Sequence, residues 1–190
     1  MHQKYTTEGF LVSQRASGEA DRLFLFYTKE FGMVLASAKS VRSAKSKLRP
    51  HILPCARLSL TLLKSKNRWM LLEAVVLEKL PTKSDRYKTF LKLLLILKTL
   101  AFGEERSESL FVSIESAFGY LLKAENESML PAAECLAMVK ILHALGYGEP
   151  ENENNYQNAD FDEQTLSSVA KERTDLVLRI NKALKETGLQ

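Results

Sequence analysis

The chain has 190 residues, 45% of them apolar, enough for one large domain or two smaller ones with their own cores, which excludes a largely disordered protein. Its net charge of +4 conceals a division: residues 1–80 carry fourteen Lys/Arg against six Asp/Glu, a net of +8, whereas residues 81–190 carry thirteen against seventeen, a net of −4. A basic first half and an acidic second half point to a polyanionic partner for the first.

No charged-then-apolar leader is read at Met1-His2-Gln3-Lys4-Tyr5, which runs directly into alternating sequence. Five short strands follow: Glu8 to Ser17, Leu23 to Tyr27, Met33 to Ala38, Leu58 to Leu63 and Trp69 to Leu77. Turn signals separate most of them, at Ser17-Gly18-Glu19, Lys29-Glu30-Phe31-Gly32 and Lys64-Ser65-Lys66-Asn67. Alternation puts Phe24 and Phe26 on one side of their strand and Leu23, Leu25 and Tyr27 on the other. Five closely spaced strands predict a small closed barrel, and the single long connection, Lys39 to Pro54, is the most basic part of the chain. A barrel that presents a charged loop is the oligonucleotide-binding (OB) type of architecture, with an SH3-like barrel as the alternative.

Between Phe31 and Leu72 there is no Asp or Glu, yet there are nine cations: Lys39, Arg42, Lys45, Lys47, Arg49, Arg57, Lys64, Lys66 and Arg68. Charge runs are commonly solvated faces of mixed sign. A run of one sign repels itself, and is tolerated mainly where it recruits a partner. Nucleic acid is the partner expected, with an anionic membrane surface as the other polyanion. Trp69, the only tryptophan, follows Arg68 directly and has two readings: a ring filling one end of the barrel core, or a platform on which a base stacks.

After Leu80-Pro81 the apolar period changes from about two to about 3.6. Ser84 and Asp85 cap a helix predicted over Arg86 to Phe102, with Gly103 as its stop; Ser107 to Lys123 and Pro131 to Gly146 follow. Gly148 to Asp160 reads as a polar loop and Asp162 to Lys185 as one amphipathic helix. The expected fold is therefore α+β, an OB barrel over residues 1–80 followed by a helical bundle over residues 81–190. The most apolar stretch, Phe90 to Leu100, is too short to cross a bilayer and contains Lys92 and Lys98. Cys55 and Cys135 have no CxxC neighbour and read as reduced core thiols of a cytoplasmic protein.

The apparatus of catalysis is missing. His2, His51 and His143 are the only histidines, and no phosphate-loop, dinucleotide or nucleophile-elbow motif occurs. Cys135 and His143 are two turns apart on one helix, about 12 Å of rise, too far to share a metal. No enzyme activity, cofactor or zinc is expected. The candidate DNA contacts are Arg22, Lys39, Arg42, Lys45, Lys47, Arg49, Arg57, Lys64, Lys66 and Arg68, with Trp69 as the candidate stacking ring.

The segments Gly18-Glu19-Ala20-Asp21-Arg22-Leu23, Tyr27-Thr28-Lys29-Glu30-Phe31-Gly32, Lys39-Ser40-Val41-Arg42 and Lys45-Ser46-Lys47-Leu48-Arg49, then Pro54, resemble the N-terminal pattern of the bacterial RecO family across about residues 5–80. Ile141-Leu142-His143-Ala144-Leu145-Gly146-Tyr147 resembles that family's helix ending in Leu-Gly-Tyr. Many members carry a four-cysteine zinc module next; here Gly148-Glu149-Pro150-Glu151 follows, so no zinc is implied. The resemblance implies binding of single- and double-stranded DNA and annealing of complementary strands. It further implies a partnership with RecR, the acidic tail of single-strand-binding protein and, indirectly, RecA, in a nucleoid-associated cytoplasmic protein. A ribosome-associated RNA-binding accessory factor on an OB scaffold and an adaptor whose basic face docks an acidic protein are the alternatives from other classes.

Overall fold

In the computed structural model, residues 3–41, 43, 46–66, 68–147 and 156–186 are described. The chain divides into two compact units, Met1–Leu80 with Ala101–Arg106, and Pro81–Leu100 with Ser107–Gln190. The first is a closed five-stranded barrel of β1 (Gln3–Ser17), β2 (Asp21–Thr28), β3 (Gly32–Ala38), β4 (Ala56–Ser65) and β5 (Arg68–Lys79), in the order β1-β2-β3-β5-β4. That order, with β1 shared by both ends of the sheet, is the OB topology.

Closure depends on β1, which starts five residues earlier than its alternation suggests. Its first part pairs with β4, from Gln3 opposite Lys64 to Phe10 opposite Arg57, and its second part with β2, from Gly9 opposite Thr28 to Ser17 opposite Asp21. The strand turns the corner where both ladders overlap, at Gly9 and Phe10. A Cβ on Gly9 would sit 2.5 Å from the Tyr27 carbonyl oxygen, so only glycine lets the strands approach this closely. A bulge between Leu11 and Ser13 adds the bend. The barrel closes with a short parallel contact, Ala36 beside Trp69 and Ser37 beside Met70.

The inward positions form one apolar cluster that includes Leu11, Phe24, Phe26, Val34, Ala36, Leu58, Leu60, Leu62, Trp69 and Leu71. Val41 and Ile52 join it, so the long connection between β3 and β4 packs part of itself into the barrel. Tyr27 is also buried although it lies opposite Phe26 in the alternation, and burial pushes its hydroxyl far above the usual tyrosine range.

The second unit contains α1 (Asp85–Leu100), α2 (Glu108–Lys123), α3 (Leu130–Ala144), α4 (Glu163–Lys171) and α5 (Arg173–Glu186). Their boundaries follow local chemistry. Ser84 Oγ accepts the Tyr87 N–H at 3.1 Å ahead of α1, and Ser107 Oγ accepts the Leu110 N–H at 3.3 Å ahead of α2. Pro131 sits in the first turn of α3, and Gly146 at φ 82° ends it, with the Tyr147 N–H returning to the Leu142 carbonyl at 2.9 Å. Phe90 and Phe118 pack edge to face, 5.1 Å apart, between α1 and α2.

Three expectations are corrected. The final helix is two, interrupted at Glu172, whose carboxylate accepts the Tyr156 hydroxyl at 3.2 Å. The polar loop is not featureless where it is described: Tyr156–Asn158 is a helical turn, Tyr156 is buried, and the Lys140 ammonium donates to the Ala159 carbonyl at 2.6 Å. Residues 148–155 of that loop lie outside the described residues. The first helix ends at Leu100, because Ala101–Arg106 leaves the helical unit for the barrel unit. Among the described residues no helix is long and apolar enough to cross a membrane, and no cluster of His, Cys, Asp and Glu could hold a metal.

Candidate nucleic-acid interface

Residues that are direct partners across strands share a face, so the register defines what the barrel's outer wall presents. One row runs Arg15, Leu23, Ser37, Met70 across β1, β2, β3 and β5; the next runs Ser13, Leu25, Leu35. Leu35 is 45% exposed and Leu72, two residues beyond Met70, is 41% exposed, while Leu23, Leu25 and Met70 are half-buried. These rows contain apolar, hydroxyl and cationic residues and no carboxylate.

Exposed cations lie at the ends of the strands that form this wall and in the long connection. Lys39 follows β3 in a turn fixed beside the start of β2, where the Ser40 N–H donates to Asp21 Oδ1 at 2.8 Å. Lys66 stands in the turn between β4 and β5 and Arg68 begins β5, while Lys47 and Arg49 are exposed in the long connection, Arg49 in a single helical turn with His51. Arg15 stands outside the acid-free stretch, so no run of charge marks it; the cross-strand register places it on the wall.

Arg22, by contrast, pairs with Ala16 and Ala38 and so belongs to the inward-facing set, at the barrel's end, where its Nη1 donates to Gln14 Oε1 at 2.7 Å. Arg42 and Lys45 lie outside the described residues.

Three of the candidate contacts have partners within the barrel unit. Arg57 donates to Glu8 Oε2 from Nε at 2.8 Å and Nη2 at 2.7 Å, and its Nη1 lies 3.5 Å from Glu78. Its charge is neutralised from both sides, tying β1 and β5 to β4, so it is a strand clamp within the barrel. Lys64 donates to Glu104 Oε2 at 2.8 Å and lies 4.6 Å from the centre of the Trp69 ring. Its charge too is occupied. Trp69 is 3% exposed and belongs to the core, packed 5.0 Å from Phe31 and 5.7 Å from Tyr5 between ring centres. No face of it is open to a base, which removes it as a stacking platform.

The Trp69 Nε1 is buried with no partner in hydrogen-bond geometry, yet the Glu104 carboxylate lies close enough to be influenced by it. Partial burial pushes the Glu104 carboxyl up, but Lys64 and the indole N–H together outweigh that and hold it below the usual carboxylate range.

Residues 1–79 match the family described as Recombination protein O N terminal. Over 63 residues the chain is 38% identical to a protein of Heliobacterium modesticaldum named DNA repair protein RecO, a stretch that makes up 33% of this chain and 23% of that relative. Over residues 1–79 the chain is thus similar to the N-terminal domain of the RecO family, and the matched stretch spans less than a quarter of that relative's length.

Proposed function

We propose that this chain is a RecO-type DNA repair and recombination mediator that binds DNA without breaking or making covalent bonds. The observation that carries the reading is the wall of the barrel: rows of Leu, Met and Ser from β1, β2, β3 and β5 that include Arg15, are free of carboxylates and are bordered by Lys39, Lys66 and Arg68. In OB folds the face of strands 2 and 3, with the neighbouring loops, takes the nucleic-acid strand.

No aromatic ring lies in these rows, so stacking of bases on protein, worth about 1–3 kcal/mol per base elsewhere, is not the main source of affinity. Phosphate neutralisation is. Single strands and duplexes both offer phosphates, which supports binding to both, and two strands with part of their charge neutralised approach each other more readily, which supports annealing. RecR, the tail of single-strand-binding protein and, indirectly, RecA are proposed as partners on the family resemblance alone.

A salt titration of affinity for a labelled oligodeoxythymidine tests the electrostatic core of this reading. With Lys39, Lys47, Arg49, Lys66 and Arg68 contacting phosphates, log K falls against log salt with a slope of about −3.5, from about −0.7 per contact on single strands. A slope near zero refutes it.

A further inference from the structure

The acid-free run of the barrel meets its missing carboxylate from far along the chain. Ala101–Arg106, the connection between α1 and α2, lies with the barrel unit. It is fastened at two points. The Met33 N–H donates to the Gly103 carbonyl at 3.1 Å, and Gly32, at φ 60°, lies so close to Glu105 that a Cβ there would be 2.2 Å from its carbonyl oxygen. Between these anchors Glu104 reaches Lys64 at 2.8 Å, beside the indole of Trp69. Lys64 pairs with Gln3 and Trp69 across its neighbouring strands and is followed by the turn that carries Lys66 and Arg68.

We propose that Ala101–Arg106 is an autoinhibitory strap: the Glu104 carboxylate occupies, on Lys64, the position of a nucleic-acid phosphate, and a bound strand displaces it. The proposal rests on the DNA-binding reading above and deepens it by assigning a latent phosphate site. The chemistry is an exchange of one oxyanion for another on the same ammonium. The Glu104 and Lys64 side chains are 45% and 42% exposed, so the pair is an exposed one of small net strength that phosphates can outcompete. The backbone anchors at Gly32 and Met33 keep the carboxylate at high local concentration, which makes the competition depend on salt and on strand length.

The single tryptophan makes the strap observable, because Trp69 lies beside Glu104. Saturating the wild-type chain with oligodeoxythymidine shifts or quenches the indole emission. Glu104→Gln, isosteric and neutral, binds the oligonucleotide about two- to fivefold more tightly, the worth of one exposed ion pair, and steepens the salt slope by about 0.7. Glu73→Gln makes the same change in net charge on β5 and serves as the comparison. Lys64→Gln has little effect alone and abolishes the gain when combined with Glu104→Gln.

A Glu104→Gln variant that gains no more than Glu73→Gln overturns the strap, as does a gain that survives the loss of Lys64, or an indole emission indifferent to saturating DNA. These outcomes leave DNA binding standing. Absence of oligonucleotide binding by wild type and by Glu104→Gln alike defeats the DNA-binding reading itself, whereas binding by the variant alone supports the strap.

Discussion

Replacing Trp69 with Ala distinguishes a core ring from a base platform by which quantity moves. The ring is 3% exposed and packed among Tyr5, Phe31 and the Lys64 ammonium. Burying an aromatic of its size removes about 150–250 Å² from water, worth about 4–6 kcal/mol at about 25 cal/mol per Å². Part of that survives in the alanine and in relaxation of the neighbours, so the expected loss is about 3–5 kcal/mol. For a unit of this size that lowers the barrel's melting temperature by at least about 12 °C, measured by far-UV circular dichroism, with the barrel and helical units followed as separate transitions if they resolve. Trp69→Phe retains most of the packing and gives up an indole N–H that has no well-formed hydrogen bond, so its loss is the smaller. A Trp69→Ala protein that melts like wild type while losing DNA affinity refutes the core assignment.

Other consequences are independent of that ring. Gly32→Ala forces a side chain onto the Glu105 carbonyl at positive φ and is expected to destabilise the barrel by at least about 2 kcal/mol in urea unfolding. Arg57→Met removes the charge held by Glu8 and Glu78 while keeping an apolar stem, so the DNA salt slope stays at its wild-type value and stability falls; a shallower slope would restore Arg57 to the interface. Lys47→Ala with Arg49→Ala removes two exposed charges and lowers the slope by about 1.4 without unfolding the barrel. The Glu104 carboxyl is depressed below its ordinary 4.5 in the folded chain, so its stabilisation is present above about that pH and is lost as pH falls through the folded value. The difference in urea midpoint between wild type and Glu104→Gln should therefore shrink below pH 4.5, and a difference independent of pH there would contradict the ion pair.

The barrel was legible because its signals are local. Strand alternation at Phe24 and Phe26, turn residues at Gly18 and Gly32, and the switch of period after Pro81 each depend on neighbours within a few positions. The helix caps Ser84 and Ser107 were legible for the same reason. What escaped depends on partners distant in sequence. Nothing near Arg57 announces that Glu8, 49 residues away, holds it, and nothing near Lys64 announces Glu104, 40 residues on. A count of cations along the chain therefore includes those the fold has already neutralised. The break at Glu172 was invisible because no Gly or Pro marks it, only a contact with Tyr156. Arg15 was overlooked for the opposite reason: it is isolated in sequence and becomes part of the wall only through its register with Leu23.

The occupied cations change what the barrel's surface implies for a bound strand. Had Trp69 been an open platform, affinity would have rested on holding bases against the protein, with their pairing edges constrained. With the ring buried and the outer rows aliphatic, the favourable contacts available are charge neutralisation at the margins and loose apolar contact at Leu35 and Leu72. Such a surface favours binding a strand by its phosphates, with its bases left free to test a partner. Affinity for oligonucleotides of equal length should then vary little with base composition at fixed salt, and oligodeoxyadenosine and oligodeoxythymidine should bind within a few-fold of each other. A strong preference for one, persisting at high salt where phosphate contacts are screened, would show that the bases are held by the protein.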